Sequence, residues 1–245
     1  MLANHPDRFS LSAAPTLDIG APRTGVPPHS FDAEALSELR PMCLIREVAA
    51  RSPVFGPSTG SGSVYFLEDG AVRLFRLAED GHETSLGYVA PGEVFGMPIL
   101  LRREPDERFA NAVCRSVVWR IPRDPFRRWL ASRPCFAVVL GAQLERRLRR
   151  LEDRVDDLAA RDVRQRVLRA LHDLAHAFGR PNGNGSVTLD LPLTQAELAI
   201  LVGSTRQTVN ASLRTLLTER ILQRDGRRLV LLSNGAAESA VGAES

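Results

Sequence analysis

Seven small or apolar residues, Ala137, Gly141, Leu144, Leu148, Leu151, Val155 and Leu158, follow one another at spacings of four, three, four, three, four and three. A mean spacing of 3.5 against a helical turn of about 3.6 keeps one narrow stripe on one side of a long helix. The flanks of the stripe carry Arg146, Arg147, Arg149, Glu152, Asp153 and Asp156, so only that edge is suited to burial. The spacing predicts a helix over residues 134–160 that meets its own copy along Leu144, Leu148, Leu151, Val155 and Leu158. A rod of that kind divides the chain. In 245 residues it leaves room for a separate unit on each side, at about 100–150 residues per domain.

The unit before the rod is punctuated by turns. Residues 1–30 hold Pro6, Pro15, Pro22, Pro27 and Pro28 with little apolar periodicity and read as a flexible leader. From Val64, VYFLEDGAVRLFRL gives an apolar run, a turn at Asp69-Gly70, and alternation through Val72, Leu74 and Leu77, the pattern of a hairpin. Further turns at Asp80-Gly81 and Pro91-Gly92, with the runs SLGYVA and NAVCRSVVWRI, extend it. Short strands at near-regular spacing predict a small β-roll within residues 31–133.

Beyond the rod, residues 161–180 predict an amphipathic helix that stops at Gly179 and Pro181, and PNGNG reads as a loop. The decisive segment follows. Thr194 stands at an N-cap position with Glu197 three residues later, a capping box that starts a helix through Val202. Gly203 permits a tight turn, and Ser204 or Thr205 caps a second helix to about Arg220. Helix, glycine turn and helix make a helix-turn-helix. Val209, Leu213, Leu216 and Leu217 form the buried face of its second helix, which turns Arg206, Gln207 and Asn210 outward at the end that enters a major groove. The Arg fork matches the two acceptors of guanine, and the Gln amide can serve adenine, each good pair contributing about 1–3 kcal/mol of discrimination. ILQRDGRRLVLLS then reads as a wing of two strands around Asp225-Gly226, with Arg224, Arg227 and Arg228 at its tip. Thr194, Gln195, Ser204, Thr205, Arg206, Gln207, Asn210, Arg214 and Arg227 are the candidate DNA contacts. Residues 161–232 are the winged helix-turn-helix domain and 233–245 a tail, so the fold class is α+β.

Charge follows the same division. Residues 161–232 hold 11 Arg against 6 Asp or Glu, a net of +5, whereas the rest of the chain carries −2. A phosphate backbone attracts such an excess and makes binding fall with salt. All 32 basic residues are Arg. A P-loop lysine and a pyridoxal Schiff-base lysine are therefore both excluded. Glu68, Asp69, Glu79 and Asp80 fall at turns, no nucleophile-base pattern appears, and the STGSGS stretch at 58–63 is a plain flexible loop, so no enzyme is expected. No run reaches the roughly 20 apolar residues of a membrane span. The start of the chain lacks the layout of a secretory signal, and Cys43, Cys114 and Cys135 are widely spaced, which predicts a cytoplasmic protein with its cysteines buried as small hydrophobes.

The order β-roll, long dimerising helix, winged helix-turn-helix resembles the CRP/FNR family of bacterial transcription regulators over residues 40–232. LTQAELAILVGSTRQTVNASLRTL is the most specific match, and VYFLEDGAVRLFRLAEDGHETSLGYVAPGEVFG is similar to the family's sensor roll. The resemblance implies a homodimer on a two-fold symmetric DNA site that recruits or blocks RNA polymerase. It implies that Arg206 and Gln207 are the base-reading pair; Ala211 stands where many members have a further basic contact. Cyclic-nucleotide-binding members use a Gly-Glu pair for the ribose, an Arg-Ser pair for the phosphate, and polar residues on the long helix for the base. The corresponding residues here are Gly96-Met97, Arg108-Phe109 and Arg150-Leu151. Met97 cannot accept from a ribose hydroxyl and Phe109 adds bulk, so cyclic AMP is not the expected effector. The roll is read as a degenerate pocket in an effector-independent regulator. The alternative is a receptor for another small molecule, an anion, an oxo-acid or haem, with Arg108 holding an anion. Three scattered cysteines do not supply an iron–sulfur cluster. His172 and His176, four apart on a helix, lack a third metal ligand, and haem ligation by Met97 or His82 has no supporting pattern. No metal or cofactor is expected.

Overall fold

The computed structural model describes residues 31–57, 62–96 and 108–232. The roll begins with α1 (Ala33–Leu39) and a short 3-10 turn (Arg40–Met42). Strands β1 (Leu44–Val48), β2 (Pro53–Phe55), β3 (Ser63–Asp69), β4 (Val72–Leu77), β5 (Glu83–Val89), β6 (Val94–Phe95), β7 (Phe109–Ala112) and β8 (Ser116–Pro122) follow. Next come α2 (Arg123–Ser132) and α3 (Cys135–Ala160). The strands form two sheets with orders β1-β8-β3-β6 and β2-β7-β4-β5. Neither α1 nor α2 is announced by the turn-punctuated pattern of the segment. Asp32 starts α1 by accepting from the Ala35 amide at 2.8 Å.

Five consecutive residues of β3, Ser63 to Leu67, are buried because the strand is covered on both faces. Val64 and Phe66 point to a helix-lined cluster with Phe31, Trp119, Phe126, Trp129 and Phe136, and Tyr65 and Leu67 point into the roll with Phe55, Val72 and Phe95. The predicted alternation in β4 breaks. Its register against β5 shifts between Leu74 and Phe75, so both are buried while Leu77 is exposed. Phe136 lies 5.3 Å from Phe31 and 4.9 Å from Trp129 between ring centroids, and the Trp129 indole donates to Glu38 at 2.8 Å. These contacts fasten α1, α2 and the start of α3 to the sheet.

After α3 the chain forms α4 (Val163–Phe178), β9 (Gly179–Pro181), β10 (Val187–Leu189), α5 (Gln195–Val202), α6 (Arg206–Thr218), β11 (Leu222–Asp225) and β12 (Arg228–Leu231). Asp162 and Gln165 make a capping box that begins α4, a signal of the same kind as the one read at Thr194. The loop expected at PNGNG is the turn of a hairpin whose two short strands the sequence does not announce: β9 pairs with β10, and the Asn182 amide closes the turn by donating to Ser186 Oγ (2.8 Å) and Thr188 Oγ1 (3.1 Å). The sheet order is β11-β12-β10-β9. Its core joins Leu171 of α4, Leu198 of α5, and Val209, Leu213 and Leu216 of α6, and it takes in Ala71, Tyr88 and Val113 of the roll. No helix among the described residues is long and apolar enough to cross a membrane.

Candidate nucleic-acid interface and effector pocket

The two helices of the motif are set by local chemistry. Thr194 Oγ1 accepts from the Glu197 amide at 3.1 Å while Glu197 Oε2 accepts from the Thr194 amide at 2.8 Å. Gly203 ends α5 at φ 62° and ψ 51°, the left-handed conformation in which a side chain costs most, and a Cβ there would lie 3.0 Å from Leu158 Cδ2. Thr205 caps α6 by accepting from the Thr208 amide at 3.1 Å. Val209, Leu213 and Leu216 are buried, Leu217 is half-buried, and Ser212 joins them. Arg206, Gln207 and Arg214 are exposed, Ser204 is half-buried, and Asn210 is half-buried because its Oδ1 accepts from Gln195 Nε2 at 3.2 Å. The motif therefore brings together Thr194, Gln195, Ser204, Thr205, Arg206, Gln207, Asn210 and Arg214. At the wing, Gly226 makes the turn at φ 57° and Arg227 is exposed. Arg228 is held by Asp190 at 2.9 Å, so the tip offers fewer unengaged cations than its three Arg suggest.

At the roll, Gly96 has φ 74°, and a Cβ on it would lie 2.9 Å from Tyr65 Cδ2, which explains glycine at that place. Met97 lies outside the described residues. Phe109 is not left facing a ligand: its ring stacks on Phe75 at 5.3 Å between centroids. Arg150 approaches Glu93 at 3.8 Å, but a residue one turn earlier is better placed. Arg147 reaches the Val94 carbonyl at 2.9 Å and Glu93 at 3.4 Å, and Gln143 accepts from the Val94 amide at 2.8 Å and donates to the Gly92 carbonyl at 3.0 Å. Burial lowers the Arg147 pKa; Glu93 opposes that lowering, and the charges of Arg108 and Arg150 add to it. Glu93, Gln143 and Arg147 were not singled out from sequence. Arg147 belongs to the charged flank read from the sequence, and Gln143 stands one turn before it on α3.

Two family models match the chain: a cyclic nucleotide-binding domain over residues 45–133 and a Crp-like helix-turn-helix domain over residues 165–236. A CRP-like cAMP-activated global transcriptional regulator of Mycobacterium tuberculosis is 32% identical over 178 residues, 73% of this chain and 79% of that protein. The chain belongs to the CRP-like family of transcription regulators. A global nitrogen regulator of Synechococcus elongatus is 31% identical over 182 residues, 74% of this chain and 82% of that protein. Among solved structures, the c-di-GMP-responsive global regulator CLP of Xanthomonas campestris superposes with a TM-score of 0.68 at 26% identity, covering 83% of this chain and all of that one. The family consists of DNA-binding regulators that are generally dimeric, not enzymes.

In this CRP-like chain the reading module rests against the sensor roll. Arg154 on α3 donates through Nη1 to the Ser85 carbonyl of β5 at 2.6 Å and through Nη2 to the Ile200 carbonyl of α5 at 3.1 Å. Tyr88 and Phe178 meet edge to face at 6.4 Å. A cavity of about 110 Å³ lies at this junction, with Arg147, Arg150, Arg169, Asp153, Asp157 and Asp173 on its wall. Burial first, and then the positive charge of Arg169, lower the His172 pKa beside it; burial raises that of Asp173. On α3 the expected seam residues Leu144, Leu148, Leu151, Val155 and Leu158 are 41–65% exposed in the single chain, and Val138, absent from the predicted stripe, is 74% exposed. Cys43 and Cys114 are half-buried, but Cys135 at the head of α3 is exposed, which corrects the expectation for that residue. Among the described residues no group of three or more His, Cys, Asp or Glu is placed to hold a metal ion.

Proposed function

We propose that this regulator is a homodimer, zipped along α3, that inserts two copies of α6 into successive major grooves of a palindromic duplex and acts on transcription through RNA polymerase. The observation that carries the reading is the exposure of Arg206 and Gln207 on the first turn of a helix whose opposite face is anchored in the core. Arg206 and Gln207 read base edges, Asn210 and Arg214 continue the contact along α6, and Thr194, Gln195, Ser204, Thr205 and Arg227 approach phosphates. The exposed stripe on α3 supports the dimer, because five large apolar residues in register need a partner surface. Pairing there sets the two α6 helices about 34 Å apart. Arg206→Ala is expected to abolish specific binding to a palindromic site in an electrophoretic shift while leaving the dimer intact; undiminished specific binding refutes the assignment.

The same proposal takes the roll to be independent of cyclic AMP. Glu93, Arg147 and Gln143 already join the roll to α3 from within the chain, and Phe109 is stacked on Phe75. One observation favours a second reading, a receptor for a different anion: Arg147 and Arg150 lie 3.4 and 3.8 Å from the carboxylate of Glu93, and the charge of Arg108 is felt at Arg147. Thermal-shift measurements with cyclic AMP, c-di-GMP, inorganic phosphate, oxo-acids and haem separate the two. A shift with cyclic AMP overturns the first reading, and a shift with another anion establishes the second.

A further inference from the structure

Arg206, Asn210 and Arg214 lie four residues apart along one edge of α6, so Asn210 occupies the middle of the line between two exposed arginines. Unlike them it is tied down. Its Oδ1 accepts from Nε2 of Gln195, the first residue of α5. A carboxamide presents an acceptor on one side and donors on the other, and whichever end is engaged internally decides which end faces outward. The first turn of α5 has unpaired amide N–H groups and a partial positive charge, an environment that favours the oxygen end of the Gln195 amide toward its own helix and its NH2 end toward Asn210.

Resting on the reading of α6 as the groove-entering helix, we propose that Gln195 is a positioning residue that holds Asn210 with its NH2 group outward. Asn210 thereby selects a base whose exocyclic major-groove group is an acceptor, O6 of guanine or O4 of thymine, at one base pair of each half-site. A free asparagine pairs with adenine through both its ends; the Gln195 bond removes that preference. Base choice at that pair is then set from α5, the helix that does not enter the groove.

The test is site selection by the full-length protein from a duplex library with a randomised central segment, followed by the same selection with four variants. Asn210→Ala locates the base pair, since that column alone loses its preference, expected at about 5–10-fold for one hydrogen bond to a base edge. In that column the unsubstituted protein takes guanine or thymine. Gln195→Arg, which can only donate to Oδ1, keeps this choice. Gln195→Glu, which can only accept, rotates the Asn210 amide and turns the column toward adenine or cytosine. Gln195→Ala frees the amide and turns the column toward adenine, which a free asparagine pairs through both its ends. The remaining columns stay as they were in all four, a pattern that damage to the fold does not produce. An adenine or cytosine column in the unsubstituted protein, or one indifferent to Gln195→Glu, overturns the proposal while leaving the DNA-binding function intact. Failure of the unsubstituted protein to enrich any sequence overturns both.

Discussion

Gly203 sits where α5 stops and α6 is about to begin, and its backbone decides how those helices cross. With φ at 62° and Leu158 beside it, Gly203→Ala is expected to lose about 1–2 kcal/mol from the left-handed backbone alone. A denaturant titration should show a lower midpoint with an unchanged slope. Thr205→Ala removes only a cap and should cost about 1 kcal/mol in the same assay. Both residues were legible in sequence because turn and cap chemistry is local. Arg147 and Glu93 were not: 54 positions separate them, and their pairing depends on how α3 lies against β6. The family resemblance placed the pocket contact at Arg150, one turn along the helix, because a matched position names a helix but not the rotation at which it meets a sheet. The Arg228–Asp190 pair is hidden for a related reason, since nothing local to the wing tip announces the opposing Asp190.

Elements announce themselves when their period is long. The 26 residues of α3 and the helices of the reading module emerge from spacing, whereas α1, with 7 residues, shows no periodicity that could be counted. Strands β9 and β10, each of 3 residues, hide for the same reason, and Pro181 at the end of β9 with the Asn and Gly residues between the two points to a loop. On α3, Leu148 is 57% exposed in the single chain. If the proposed α3 dimer holds, Leu148→Glu leaves the fold intact and halves the mass measured by sedimentation, because a carboxylate in each copy would be buried against its twin. On α4, the His172 imidazole has a folded pKa below its ordinary 6.5, so the unfolded chain takes up a proton that the folded chain does not. Stability from this residue is complete above pH 6.5 and is lost as the pH falls below that value. His172→Gln should show a smaller drop in melting temperature between pH 7 and pH 5 when compared with the unsubstituted protein.

Across the whole molecule, the roll and the reading module share a core cluster and a cavity instead of hanging from a bare linker. Arg154→Ala removes both bonds that bridge them, and amide hydrogen exchange in β5 and α5 should quicken by about tenfold, with the interior of β3 and β8 unchanged. Arg154 is not among the residues singled out by sequence, since nothing in a linear sequence says which of many arginines is desolvated. Its grip has one further consequence. Arg154 holds main-chain oxygens at Ser85 and Ile200, not their side chains, so either position can drift in identity without loosening the clasp. Hybrid proteins that splice a relative's reader onto this roll near residue 162 inherit a ready-made joint, whatever amino acid the donor brings to the place of Ile200.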